Sequence, residues 1–136
     1  MSNATIATTP AFLRFALAVD AASCLAMGML LLAGAGVIDS LLGLPGTLLR
    51  TAGATLLPFA AVLAWLATRP NPPRAGVIAV IVCNIVWVAE SLILLIGGWF
   101  APSGWGVAFI VCQAAAVSAL TTLEYAGLRG MRQTQR

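Results

Sequence analysis

Residues 75–97 read AGVIAVIVCNIVWVAESLILLIG, with a single charge, Glu90, and no proline. A helix needs roughly 20 apolar residues to cross the ~30 Å hydrocarbon core of a bilayer, and this run meets that length. Its polar residues share a side. At about 100° per residue and with Trp87 as origin, Cys83, Asn84, Glu90, Ser91 and Leu94 fall within roughly 60° of it. Aliphatic residues such as Ile81, Val82, Ile85, Val86, Leu92 and Ile93 cover the rest. A charged side chain at the bilayer centre costs roughly 2.5–3.5 kcal/mol on insertion scales, so such groups turn toward a bundle interior. The stretch therefore reads as one helix of a membrane bundle, lipid-facing except along one polar stripe.

Three further runs, Ala11–Gly34, Leu48–Thr68 and Gly104–Tyr125, have the same character. Gly34, Gly36, Gly43, Pro45 and Gly46 separate the first from the second, and Arg69-Pro70-Asn71-Pro72-Pro73-Arg74 the second from the third. Proline lacks an N–H and disfavours helix in the residue before it. Gly97-Gly98 and Pro102-Ser103-Gly104 bound the last turn. Of 136 residues, 61% are hydrophobic and 8% charged, against about 25% charged in a soluble domain. A soluble domain of this size buries little more than ~65% of its chain's surface, too little to hide such a composition. In lipid the backbone must satisfy itself, and with no alternating pattern only helices remain. The expected fold is all-α, an integral membrane four-helix bundle. Residues 1–10 form a disordered N-terminal segment, 11–126 the transmembrane domain and 127–136 a basic tail. Asp20 inside the first run argues for a retained helix over a cleaved signal sequence.

The chain has no histidine and no lysine, which excludes imidazole ligands and bases, Schiff-base chemistry and a P-loop. Cys24, Cys83 and Cys112 lie in separate apolar runs without metal-ligand spacing and read as packing residues. No metal, cofactor or nucleic-acid partner is expected. Arg14, Arg69, Arg74, Arg129, Arg132 and Arg136 fall on one side of an even-numbered bundle and only Arg50 on the other. That bias places both termini on the cytoplasmic side. Trp99, Phe100 and Trp105 would mark the outer interface, Trp65 and Tyr125 the inner one. A faint internal repeat accompanies this layout. A shift of 64 sets Asp20 on Asn84 and Gly34 on Gly98, and a shift of 60 sets Leu63, Trp65 and Arg69 on Leu123, Tyr125 and Arg129. Two parallel two-helix repeats would result.

The candidate site residues are the intramembrane polar groups Asp20, Asn84, Trp87, Glu90, Gln113 and Glu124, with Arg50. They are expected to form a ladder across the bundle, serving either as interhelical hydrogen-bonding groups or as a binding or proton-relay path. Asp20 shares a face with Ala16, Ser23, Cys24 and Met27, and Gln113 and Glu124 are nearly eclipsed on the fourth helix. Arg14 lies about 120° round the first helix from Asp20. Ser23, Cys24, Asn84 and Glu124 are the expected neighbours of Asp20, and a desolvated carboxyl there, without a cation, should hold or share a proton. Glu90 is expected to reach Arg50, and Pro58 to kink the second helix.

Arg14-Phe15-Ala16-Leu17 opening the first span and Leu42-Gly43-Leu44-Pro45 leading into the second resemble DoxX-like small bacterial membrane proteins. The resemblance covers the four-helix layout and implies a redox or respiratory accessory role, with no catalytic pattern carried over. Likeness to small multidrug-resistance transporters stops at size, helix number and an acid in the first span. Two functions compete: a non-enzymatic module binding a lipid, hydrophobic molecule or membrane partner through its bundle, and a dimeric proton-coupled transporter using Asp20 or Glu90. Membrane lipids, a second copy or another membrane protein are the partners that fit.

Overall fold

The computed structural model describes residues 10–134. The expected disorder of segment 1–10 falls, but for Pro10, outside the described residues. Four helices make up the fold: α1 (Pro10–Leu42), α2 (Gly46–Thr68), α3 (Arg74–Ile96) and α4 (Gly104–Thr134), with no strand among the described residues. All four are long and apolar enough to cross a membrane.

Proline sets the helix starts. Pro45 and Pro73 sit in extended conformation at the N-caps of α2 and α3 and accept the first turn's bonds from Leu49 and Val77. α1 continues through Gly34 and Gly36, where the sequence reading ends the first span, to Leu42. A helical glycine forfeits only about 1 kcal/mol relative to alanine, and no proline intervenes. The stop is Gly43, whose φ of 67° lets its N–H and that of Leu44 turn back to the Asp39 carbonyl. α4 likewise runs past Tyr125 into the basic tail. α2 stays helical from Gly46 to Thr68 through Pro58.

α1 packs against α2 and α4, and α3 packs against α4, whereas α2 and α3 barely meet. The ring of helices is thus open along one seam. α1 and α2 cross backbone to backbone, where a Cβ on Gly53 would stand 2.9 Å from the Gly28 carbonyl oxygen. α1 and α4 meet through Gly106 against the Leu42 carbonyl and through Gly127 against Leu13. Leucines 13, 17, 31, 49, 63 and 66 with Val77, Val80 and Ile110 fill the interior. On α3 the outward residues Ile78, Val82, Ile85, Val86, Leu92 and Ile93 are all exposed, the lipid-facing side that the sequence pattern marks.

Elements of the repeat appear in the packing. Arg69 lies over the Trp65 ring at 4.4 Å, and Arg129, its equivalent at a shift of 60, over Tyr125 at 5.8 Å. The equivalence is not carried into the core, since Leu63 is fully buried while Leu123 is 43% exposed.

Candidate functional site

The intramembrane polar residues gather into two groups on either side of the bundle's middle, joined by α3. The inner group is Asp20 of α1, Asn84 of α3 and Glu124 of α4, exposed by only 1%, 3% and 0%. Asn84 Nδ2 donates to Asp20 Oδ2 at 3.1 Å and to Glu124 Oε2 at 3.3 Å. The Cys24 thiol, one turn beyond Asp20, donates to Asp20 Oδ1 at 3.6 Å. One amide nitrogen thus bridges the Asp20 and Glu124 carboxyls, and Glu124 Oε1 is buried without a donor. Asp20 therefore meets Cys24, Asn84 and Glu124 as the sequence suggests. Ser23 is not among its neighbours: it is exposed and donates to the Val19 carbonyl of its own helix. Arg14 points elsewhere too, its Nε donating to the Ala67 carbonyl at 2.9 Å, near the end of α2. A cation at a helix C-terminus is favourably placed against the helix dipole.

The outer group closes α3 onto α4. Trp87 Nε1 donates to Gln113 Oε1 at 2.7 Å, Gln113 Nε2 to Ser91 Oγ at 2.9 Å, and Ser91 Oγ to the Trp87 carbonyl at 2.8 Å. Asn84, Trp87 and Ser91 are spaced three and four residues apart, so one helical stripe feeds both groups. Cys83 and Glu90, at the stripe's margins, are exposed. Ser91 joins this group although it is not among the candidate site residues, and its place on the stripe is readable from the sequence.

Beside the outer group the open α2–α3 seam holds a cleft of about 340 Å³. Thr51 and Thr55 line it from α2, Trp87, Glu90 and Ser91 from α3, and Phe109 and Gln113 from α4, over a floor including Met27 and Leu31. Both threonine hydroxyls donate to carbonyls of their own helix, which leaves their lone pairs to the cleft. Among the described residues Glu90 has no hydrogen-bond or ion-pair partner.

The expected pairing of Glu90 with Arg50 is not formed. Arg50 turns to the far end of α1, where a Cβ on Gly46 would be 3.8 Å from Arg50 Nη1 and 3.2 Å from Asp39 Oδ2. The cause is the length of α1: by continuing to Leu42 it carries Asp39 beside the start of α2. A first span ending at Gly34 leaves Asp39 in a loop, so the sequence pattern does not set it beside Arg50.

Compared with known proteins, the chain matches no family model, no curated protein sequence and no solved structure.

Proposed function

We propose that this multi-pass membrane protein binds a hydrophobic or amphiphilic molecule, entering sideways from the lipid between α2 and α3. The cleft carries this reading. Its volume is in the range of small-ligand sites, about 300–1,000 Å³, and such sites pair apolar walls with a few polar groups that orient the ligand. Here the walls are leucine, methionine and phenylalanine, and the orienting groups are Glu90, the two threonines and the tethered Gln113. The ligand's polar end would be a donor or cation, since the cleft offers it an unpaired carboxyl and threonine lone pairs. No nucleophile–base pair accompanies them, which favours binding over catalysis. The arginine bias supports both termini inside, and the DoxX-like layout supports a bacterial inner membrane and an accessory role beside other membrane components.

A second reading, proton-coupled solute transport, draws on one observation: α3 carries both Asn84 of the buried acid pair and Glu90 of the cleft. Proton-driven uptake in proteoliposomes, lost in Glu90→Gln, would favour it over simple binding.

The binding reading is tested with a single-chain fatty alcohol bearing a photoreactive diazirine. Labelling should concentrate on residues 48–55 and 87–94, and excess 1-dodecanol should compete for it. Ala52→Phe, which fills the cleft, should abolish the competed fraction. Uniform, uncompeted labelling of all four helices would reject the reading.

A further inference from the structure

Four carboxylate oxygens meet where α1, α3 and α4 converge, and donors reach only three of them. The Cys24 thiol supplies Asp20 Oδ1, and the two N–H bonds of the Asn84 amide supply Asp20 Oδ2 and Glu124 Oε2. Glu124 Oε1, on a side chain with 0% exposure, has none. A primary amide nitrogen carries two hydrogens and no more, so Asn84 cannot supply the fourth. An ionised carboxyl is acceptor-only, but a protonated one is also a donor, and the single Asn84 amide nitrogen holds the Asp20 and Glu124 carboxyls side by side.

We propose that Asp20 and Glu124 form a proton-binding site in which one proton is held between the two carboxyls and Asn84 clamps the pair. This inference goes beyond the cleft and does not depend on what the cleft binds. Without that proton, two like charges would share a buried position, which is strongly disfavoured unless a cation compensates. None is at hand among the described side chains. Arg14 donates to the Ala67 carbonyl, Arg50 lies by Asp39, Arg69 and Arg129 cover Trp65 and Tyr125, and Arg74 is exposed at the first residue of α3. The titratable groups facing the site are Asp20 and Cys24 from α1 and Glu124 from α4, while α3 presents the neutral Asn84. A sodium or potassium ion is a poorer occupant, because it would draw the amide oxygen inward, whereas Asn84 turns its NH₂ to both carboxyls. The site links three of the four helices, so proton release would set two charges against the contact that holds α1 to α4.

Infrared difference spectroscopy of the full chain in detergent tests this. On an Asp39→Asn, Glu90→Gln background, Asp20 and Glu124 are the only side-chain acids left. A protonated-carboxyl C=O band should persist there at neutral pH, shift in D₂O and vanish in strong base. Adding Glu124→Gln should remove it, because the remaining Asp20 gains an amide donor and loses its like-charged neighbour. No such band at neutral pH would overturn the proposal. So would a band unchanged by Glu124→Gln, or one displaced by sodium at constant pH.

Discussion

The two helix hairpins share a layout and close it by opposite means. α1 and α2 bring backbone to backbone at Gly28 and Gly53. At the corresponding places, shifted by 64 and 60, α3 and α4 carry Leu92 and Gln113. There the closure is made by side chains, through Trp87, Gln113 and Ser91. In a bilayer lipid tails are as apolar as leucine, so helix association rests on close packing of small residues or on interhelical hydrogen bonds. The first hairpin uses one and the second the other. Small residues leave no space between helices, whereas the larger polar set holds α3 and α4 together while its outer edge lines the cleft. The asymmetry and the cleft thus go together.

The Gly28–Gly53 crossing should be costlier to disturb than the polar closure of the second hairpin. Gly53→Leu inserts a side chain where even a Cβ meets the Gly28 carbonyl at 2.9 Å. Overpacking typically costs 1–3 kcal/mol, and a backbone obstacle that cannot yield should put this variant at or above about 3 kcal/mol. Unfolding in mixed detergent checks this, and an effect below that of the next pair would undo the contrast between hairpins.

Next in size is the polar closure. Trp87→Phe and Gln113→Leu each leave a donor or acceptor unpaired, and interhelical hydrogen bonds in membranes average about 0.6 kcal/mol with a maximum near 1.7. Each should cost about 1 kcal/mol, and their double-mutant cycle should show coupling of at least about 0.5 kcal/mol. Strict additivity would mean that Trp87 contributes by packing alone. Below both comes Ala52→Phe, which enters open space in the cleft and should leave the unfolding midpoint within about 0.5 kcal/mol of wild type. Its effect should fall on ligand competition.

Hydropathy and the helical angle made the four helices legible, because lipid enforces both; of the stripe on α3, Asn84, Trp87, Ser91 and Leu94 turn inward, while Cys83 and Glu90 are exposed. The partners of Asp20 were legible for the same reason: a buried acid has few polar groups to meet, and only Asn84, Cys24 and Glu124 face inward near it. The open seam was not, because it depends on which helix pairs approach at Gly28, Gly53, Gly106 and Gly127, and glycine patterns do not name their partner helix. Ser23 was misplaced because a helical serine can satisfy itself on the preceding turn. Arg50 was misassigned through a boundary, since Gly34 and Gly36 looked like an end and are only passed through.

That boundary supplies the smallest and sharpest test. If Arg50 belongs to the α1–α2 hairpin, the acid it stands beside is Asp39, with Gly46 between them and no ion pair formed; if it belonged to the cleft, it would be Glu90. Exposed charge pairs contribute about 0.2–1 kcal/mol, so single substitutions barely discriminate. Double-mutant cycles do. Arg50→Gln with Asp39→Asn should show a coupling of a few tenths of a kcal/mol that shrinks with added salt. Arg50→Gln with Glu90→Gln should be additive within about 0.3–0.5 kcal/mol, the scatter expected of independent sites. Coupling confined to the Glu90 cycle would return Arg50 to the cleft and supply Glu90 with a resident cation. A ligand with a cationic end would then have nothing left to neutralise, and the polar contact proposed for it would have to come from Thr51, Thr55 and Gln113 instead.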